Sequence, residues 1–256
     1  MKICIWCKKD DQSTSFNSIA HTIPQSLGGK SICTNVCDNC NSYFGNYQNQ
    51  QLPIETVIKE TFNISRFRYL SSLDQIGKNK ALARYKSNLF HIDFKKNLIK
   101  PKGRYQLQSG FQKSLARLLK RGLYKMFLEE QERQFSAGHL EKFNFIRDFA
   151  RNDIGDYPVF YFLRKYPMIV MAPEWAEYPT LILKEDQQMK YLINDDNFFE
   201  FEFLGHVFSI PVNKDWENMF GQYVLQTKKL KEKLFNQMII VENFYDIDFT
   251  LRILND

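Results

Sequence analysis

The sequence predicts an α+β protein in two parts: a small N-terminal module held by cysteines, and a larger mixed domain whose sheet is mainly antiparallel. Three observations predict it. Four cysteines form two Cys-x-x-Cys pairs, Cys4/Cys7 and Cys37/Cys40, near the start of the chain. Apolar residues at helical spacing dominate long stretches between residues 54 and 151. From Tyr157 onward the pattern changes to short runs rich in Phe, Tyr, Val and Ile, with the period-two alternation of strands.

The cysteines come first in the chain. Two residues between cysteines let both thiolates reach one ion from a tight knuckle, and two such knuckles make the closed four-ligand site that Zn²⁺ prefers. The 29 residues from Lys8 to Val36 are long enough for a hairpin between the knuckles. The second pair opens a helix over 37–47, whose free backbone N–H groups favour thiolates. A disulfide framework would need an oxidising compartment, whereas the chain opens Met1-Lys2-Ile3-Cys4 with no apolar leader, so a reducing cytoplasm is expected. Cys33 is left over and reads as a small buried thiol.

Between the pairs runs His21-Thr22-Ile23-Pro24-Gln25-Ser26-Leu27-Gly28-Gly29, and around the second pair runs Asn35-Val36-Cys37-Asp38-Asn39-Cys40-Asn41. With Cys4-Ile5-Trp6-Cys7, these segments resemble the HNH endonucleases, whose catalytic unit is a ββα-metal fold of the treble-clef kind. The resemblance covers about residues 1–50 and implies a role for each matching position. His21, opening His-x-x-Pro, is the general base that takes a proton from the attacking water. Asn35 orients its ring. Asn41 binds the catalytic divalent metal, Mg²⁺ or Mn²⁺. Cys4, Cys7, Cys37 and Cys40 hold the structural zinc. Two positions depart from the pattern. Ala20 stands where family members usually carry a metal-ligating Asp, Glu or His, so binding falls to Asn41, phosphates, water and a carboxylate such as Asp38, Glu55 or Glu60. Asn35 is also closer to Asn41 than the commoner motif has it, so the second strand is short.

The residue types suit phosphodiester hydrolysis. A histidine titrates near neutrality and serves as base at cellular pH. An amide oxygen is a hard ligand for a Mg²⁺-like ion. Gly28-Gly29 lets the backbone turn tightly between two strands, and Lys30 beyond it can meet phosphate. His91, His139 and His206 lack partners at ligand spacing and read as structural or surface residues.

Beyond the module, the expected boundary falls at 52/53, with one domain over 1–52 and another over 53–256. A helix is predicted over 54–70, irregular chain over 71–87, and a strand over 88–99 ended by Pro101. The clearest helix runs over 109–131, with Phe111, Leu115, Leu118, Leu119, Leu123, Met126 and Phe127 on one stripe and Lys113, Arg117, Lys120, Arg121 and Lys125 around it. Of these, Arg117, Lys120 and Arg121 are the expected phosphate contacts. A helix over 139–151 follows. Then come strands over 158–163, 167–171, 179–184, 189–193, 198–204 and 206–211, a charged helix over 217–236 and a last strand over 238–247.

Charge divides the chain unevenly. Residues 1–130 hold 21 Lys+Arg against 9 Asp+Glu, and residues 131–256 hold 14 against 20. A basic half carrying the module suits a nucleic-acid backbone, and an acidic half does not wrap one. No run approaches the roughly 18 apolar residues of a membrane span. The sequence therefore predicts a metal-dependent endonuclease of the HNH kind acting on DNA, with RNA left open, in defence against foreign DNA. The alternative is a non-catalytic zinc-dependent protein that binds nucleic acid or regulates. Targeting, sensing, homo-oligomerisation or a partner protein falls to residues 53–256, where no motif carries its own chemistry.

Overall fold

A computed structural model describes residues 1–47, 51–72, 86–93, 96, 98–106, 110–165, 176–183 and 191–248. The N-terminal module is a short antiparallel pair, β1 (Ala20–His21) with β2 (Ile32–Cys33), followed by helix α1 (Asp38–Gly45). The second strand is short, as the Asn35–Asn41 spacing requires. Between the strands the chain makes a 3₁₀ turn at Gln25–Leu27 and reverses through Gly28, whose φ of 102° suits only glycine. Gly29 is required for a different reason. A Cβ there would lie 2.0 Å from the Ile23 carbonyl oxygen.

Two long helices support the module. Helix α2 (Ile54–Ser72) begins where expected and runs two residues past the expected 70. After it, β3 (Phe90–Asp93) and β4 (Leu98–Pro101) form an antiparallel hairpin. The single strand expected over 88–99 is thus two, with Lys96 in a turn whose N–H bonds the Asp93 carboxylate at 3.1 Å. Helix α3 (Gly103–Gln106) is one turn, and α4 (Phe111–Phe135) is the longest described helix. It runs four residues past its expected end and stops at Ser136 in the left-handed region. Helices α2 and α4 approach closely at Gly122, where a Cβ would meet the Ile58 side chain at 2.6 Å. Helix α5 (Asn144–Asn152) follows a 3₁₀ turn at Glu141–Phe143, so the helix expected from 139 begins later.

The second half is built on a four-stranded antiparallel sheet of β5 (Phe160–Arg164), β6 (Phe198–Phe203), β7 (His206–Pro211) and β8 (Phe235–Ile240), in the order β6-β7-β5-β8. Helix α6 (Glu217–Lys231) covers one face. It ends before the expected 236, and β8 starts before the expected 238, because Phe235 is buried against Phe162 at 5.7 Å between ring centroids. The expected strand over 167–171 lies outside the described residues. Of those over 179–184 and 189–193, the described part of the first makes only an isolated bridge, Ile182 with Glu202, and beside the second the only described bridge falls one residue beyond it, Asn194 with Phe199.

Strand β6 shows why both faces of this sheet are buried. Phe201 and Phe203 enter the main core with α2 and α4, whereas Phe198 packs with Tyr223 of α6, the rings 3.9 Å apart. Glu200 and Glu202 alternate with them and are fully buried. Each has a cation: Lys231 lies 2.7 Å from Glu200, and Arg164 lies 3.3 Å from Glu202. Tyr223 and Tyr191 donate to the same two carboxylates at 2.6 Å. Burial pushes both carboxyls above the ordinary range, and these partners oppose it. The main core is continuous from Cys4, Trp6 and Phe44 in the module to Leu119, Phe208 and Ile247. Among the described residues no helix is long and apolar enough to cross a membrane.

His206 ties α2 to the sheet. Its Nε2 lies 2.7 Å from Ser65 Oγ and its Nδ1 3.1 Å from the Tyr161 hydroxyl. Burial, with the Arg164 charge adding to it, pulls its pKa down to about 3. The folded value is below the ordinary 6.5, so the unfolded chain binds the proton more readily. Stability from this group is complete above pH 6.5 and is lost as pH falls towards 3. Thermal melting should therefore detect about 2 kcal/mol less stability from His206 at pH 5 than at pH 7. His206→Gln should remove that part of the slope, and an unchanged slope would refute the assignment.

Candidate functional site

The four cysteine sulfurs come together. Sγ atoms of Cys4, Cys7, Cys37 and Cys40 all lie within 4.8 Å of one another, and three of the four residues are buried. Cys7 and Cys37 are 3.7 Å apart, close to the edge of about 3.8 Å that a tetrahedron with 2.3 Å metal–sulfur bonds would have. The thiols already share charge unequally. Cys4 accepts hydrogen bonds from the Cys40 thiol and from backbone N–H groups, and is pulled down to about 4. Cys40 is pushed up as that donor, with Arg151 pulling the other way. Arg151 also stacks over the Tyr43 ring at 3.7 Å. Buried, converging thiols with one easily ionised member are the donor set of a thiophilic divalent metal.

His21 ends β1 and is half-buried. Among the described residues its ring makes no hydrogen bond. Its main chain is held firmly. The Lys125 ammonium donates to the His21 carbonyl at 2.8 Å, and Thr22, next in sequence, donates its hydroxyl to Glu130 at 2.5 Å. The Thr22 N–H bonds Ser31 O at 3.0 Å across the strand pair. The following turn is braced by Arg66 of α2, which donates to the carbonyls of Leu27, Ala176 and Glu177.

Asn41 lies on α1 and turns back towards the start of β1. Its Nδ2 donates to Ser18 Oγ at 3.1 Å and Ile19 O at 3.2 Å. Its Oδ1 accepts no hydrogen bond among the described residues. Asp38, one turn earlier, accepts from the Ser18 N–H and hydroxyl, both at 2.7 Å. Hydrogen bonds from Ser15 and Ser18 hold its carboxyl down to about 2. Asp38 and Asn41 thus meet at one serine, three residues before His21. The other two carboxylates considered are used elsewhere. Glu55 lies 3.1 Å from Lys125, and Glu60 accepts from the Ser87 hydroxyl and the Asn88 N–H. Ala20 is buried and offers no ligand.

Asn35 is not joined to His21. Its amide donates to Glu132 of α4 at 2.5 Å, and its carbonyl accepts from Ile5 N–H. The short second strand delivers Asn35 to the helix rather than to the histidine ring. The cations expected as phosphate contacts on α4 all have partners within the fold. Arg121 is buried and donates to Ala150 O and the Tyr43 hydroxyl, with Asp153 at 3.2 Å. Lys120 is buried against Asp156 at 2.6 Å. Arg117 is partly exposed but engages Asp153, Asp156 and Gly155 O. These cations are occupied joining α4 to the end of α5. Lys30 remains exposed, with its ammonium over the Tyr178 ring.

The residues that sequence reasoning missed are the acids after Lys125. Glu129 accepts from Trp6 Nε1 at 3.0 Å, Glu130 from Thr22, and Glu132 from Asn35. Each reaches a different segment of the module. The signal was Lys125 and Glu129 at i, i+4 on one helix face.

Residues 4–54 match the family model of HNH endonucleases. Over these residues the N-terminal module is similar to the HNH endonucleases. The match takes in both cysteine pairs, His21 and Asn41, and ends at the first residue of α2. No curated protein and no solved structure matches the chain.

Two substitutions test how the N-terminal module is held. Lys125→Ala would strand Glu129 and Glu55, and should cost about 3–5 kcal/mol in denaturant unfolding. A loss under 1 kcal/mol would show that the network is solvated. Gly29→Ala should cost about 1–3 kcal/mol or more, since the new methyl meets backbone that cannot give way. A neutral result would place the Ile23–Gly29 contact in doubt.

Proposed function

We propose that this protein is a metal-dependent endonuclease that hydrolyses phosphodiester bonds in DNA, with His21 as general base. The observation that carries the proposal is the placement of His21 within the HNH match. It sits on a strand fixed to a four-cysteine knuckle, three residues after the serine where Asp38 and Asn41 converge. Water activation needs an imidazole free to accept a proton, and the His21 ring has no competing partner among the described residues. Asn41 Oδ1, with Asp38 as the neighbouring anion, would hold Mg²⁺ or Mn²⁺ in place of the ligand missing at Ala20. When bound, such an ion offsets charge on the phosphate and the leaving oxygen. Zn²⁺ on Cys4, Cys7, Cys37 and Cys40 would be purely structural, since four thiolates leave no open position. Lys30, exposed just beyond the turn, would meet a phosphate. Defence against foreign DNA, in a cytoplasmic setting, is the biological role that a nuclease module joined to a larger domain suggests.

The absent ligand at Ala20 and the diverted Asn35 favour one rival, a zinc module that binds nucleic acid without cutting it. Supercoiled plasmid separates the two. Purified protein with Mg²⁺ or Mn²⁺ should nick or linearise it, and His21→Ala should lower the rate by about 10²–10⁴. Asn41→Ala should raise the metal concentration needed, without releasing the cysteine-bound zinc. Salt-sensitive binding with no cleavage under either metal would support the rival.

A further inference from the structure

The geometry points to Lys125 and Glu130, on helix α4 and outside the HNH match, as positioning residues that hold the His21–Thr22 peptide in place for catalysis. This rests on the assignment of His21 as base. A general base must keep its nitrogen within hydrogen-bond reach of the attacking water, and small misplacements cost large factors in rate. The family's usual means here, an asparagine on the ring, is directed to Glu132 instead. What fixes His21 is its backbone.

The Lys125 ammonium has three N–H donors and three acceptors: His21 O at 2.8 Å, Glu129 Oε2 at 2.9 Å and Glu55 Oε1 at 3.1 Å. With all three engaged and the side chain 1% exposed, the ammonium has one place to sit. Burial opposes its charge, but Glu129 and Glu55 outweigh that and keep it cationic. One residue on, the Thr22 hydroxyl bonds Glu130 Oε1, whose other oxygen is held by Arg133 and Gln134 at 2.7–2.9 Å. The peptide is therefore gripped by two groups of one helix. A single contact would leave rotation about the strand; two adjacent contacts remove it. The β1–β2 ladder is only two residues per strand and cannot supply that rigidity alone.

The test uses the full-length chain. Lys125→Met is combined with Glu55→Gln and Glu129→Gln, so that no buried carboxylate loses its counter-charge. Thr22→Val is made separately, since Glu130 keeps Arg133, with Thr22→Ser as the variant that restores the hydroxyl. Each is read by amide exchange at Thr22, whose N–H closes the ladder, and by kcat and KM for plasmid cleavage. We expect at least tenfold faster exchange and at least tenfold lower kcat in the Met triple variant and in Thr22→Val. KM and cysteine-bound metal should be unchanged, and Thr22→Ser should match wild type. Faster exchange with wild-type kcat would overturn the proposal, because the clamp would then serve stability alone. Unchanged exchange would overturn it as well. A wild-type chain that cleaves nothing would sink the base assignment, while exchange still reports on the clamp without substrate.

Discussion

One buried ammonium, that of Lys125, orders the molecule. It joins the His21 strand of the N-terminal module to α2 through Glu55 and to its own helix through Glu129. Taking these charges out of water is costly, and an apolar set of the same volume could be as stable. What the ionic arrangement supplies is register. Apolar side chains can slide by a fraction of a turn and still pack, whereas an ammonium with three donors needs its acceptors at fixed places. Glu129, Glu130 and Glu132 extend the same logic. Trp6, Thr22 and Asn35 come from three separate segments of a module with very little regular structure, and one helix receives all three. The cysteine knuckles fix the module internally, and α4 fixes it to the rest.

Part of the basic charge is interior rather than surface charge. The basic half of the chain invited the reading of a nucleic-acid surface, yet several of its cations work inside the fold. Arg66 holds the turn after His21, and Arg121 bridges α4, α5 and Tyr43. Lys125 does the same at the module. Arg147, from the acidic half, donates to Ile5 O beside the first knuckle. A guanidinium with five donors is well suited to collect carbonyls where loops meet without a common strand or helix. Composition counts such residues as surface charge because it carries no information about burial.

The cysteine site and the turn at Gly28-Gly29 were legible because each is local: a ligand spacing in one case, a backbone conformation in the other. The long helices were legible from their apolar stripes. The hairpin hidden in residues 88–101 was not, because alternation continues across a turn as readily as along one strand. Strand β6 was recognised by its Phe–Glu alternation, but that pattern conceals its environment. Period-two alternation usually means one wet face, and here both faces are buried, with Lys231 and Arg164 supplied from distant elements to neutralise the glutamates. For Asn35 the partner was not legible either. Its position in the motif matched, while its partner was decided by Glu132, 97 residues away.

The HNH match ends at residue 54, but the physical unit does not. Removed from α4, Trp6 and Thr22 would lose their buried acceptors, and Phe44 and Val36 would lose the apolar cover of the shared core. A module of this size cannot replace that cover from its own residues. The long helix that grips His21 from its middle engages the end of α5 through Arg117, Lys120 and Arg121 in the turns just before. Helix α4 is rigid over that distance and is packed on both sides. Its N-terminal half and the His21–Thr22 peptide therefore share one support.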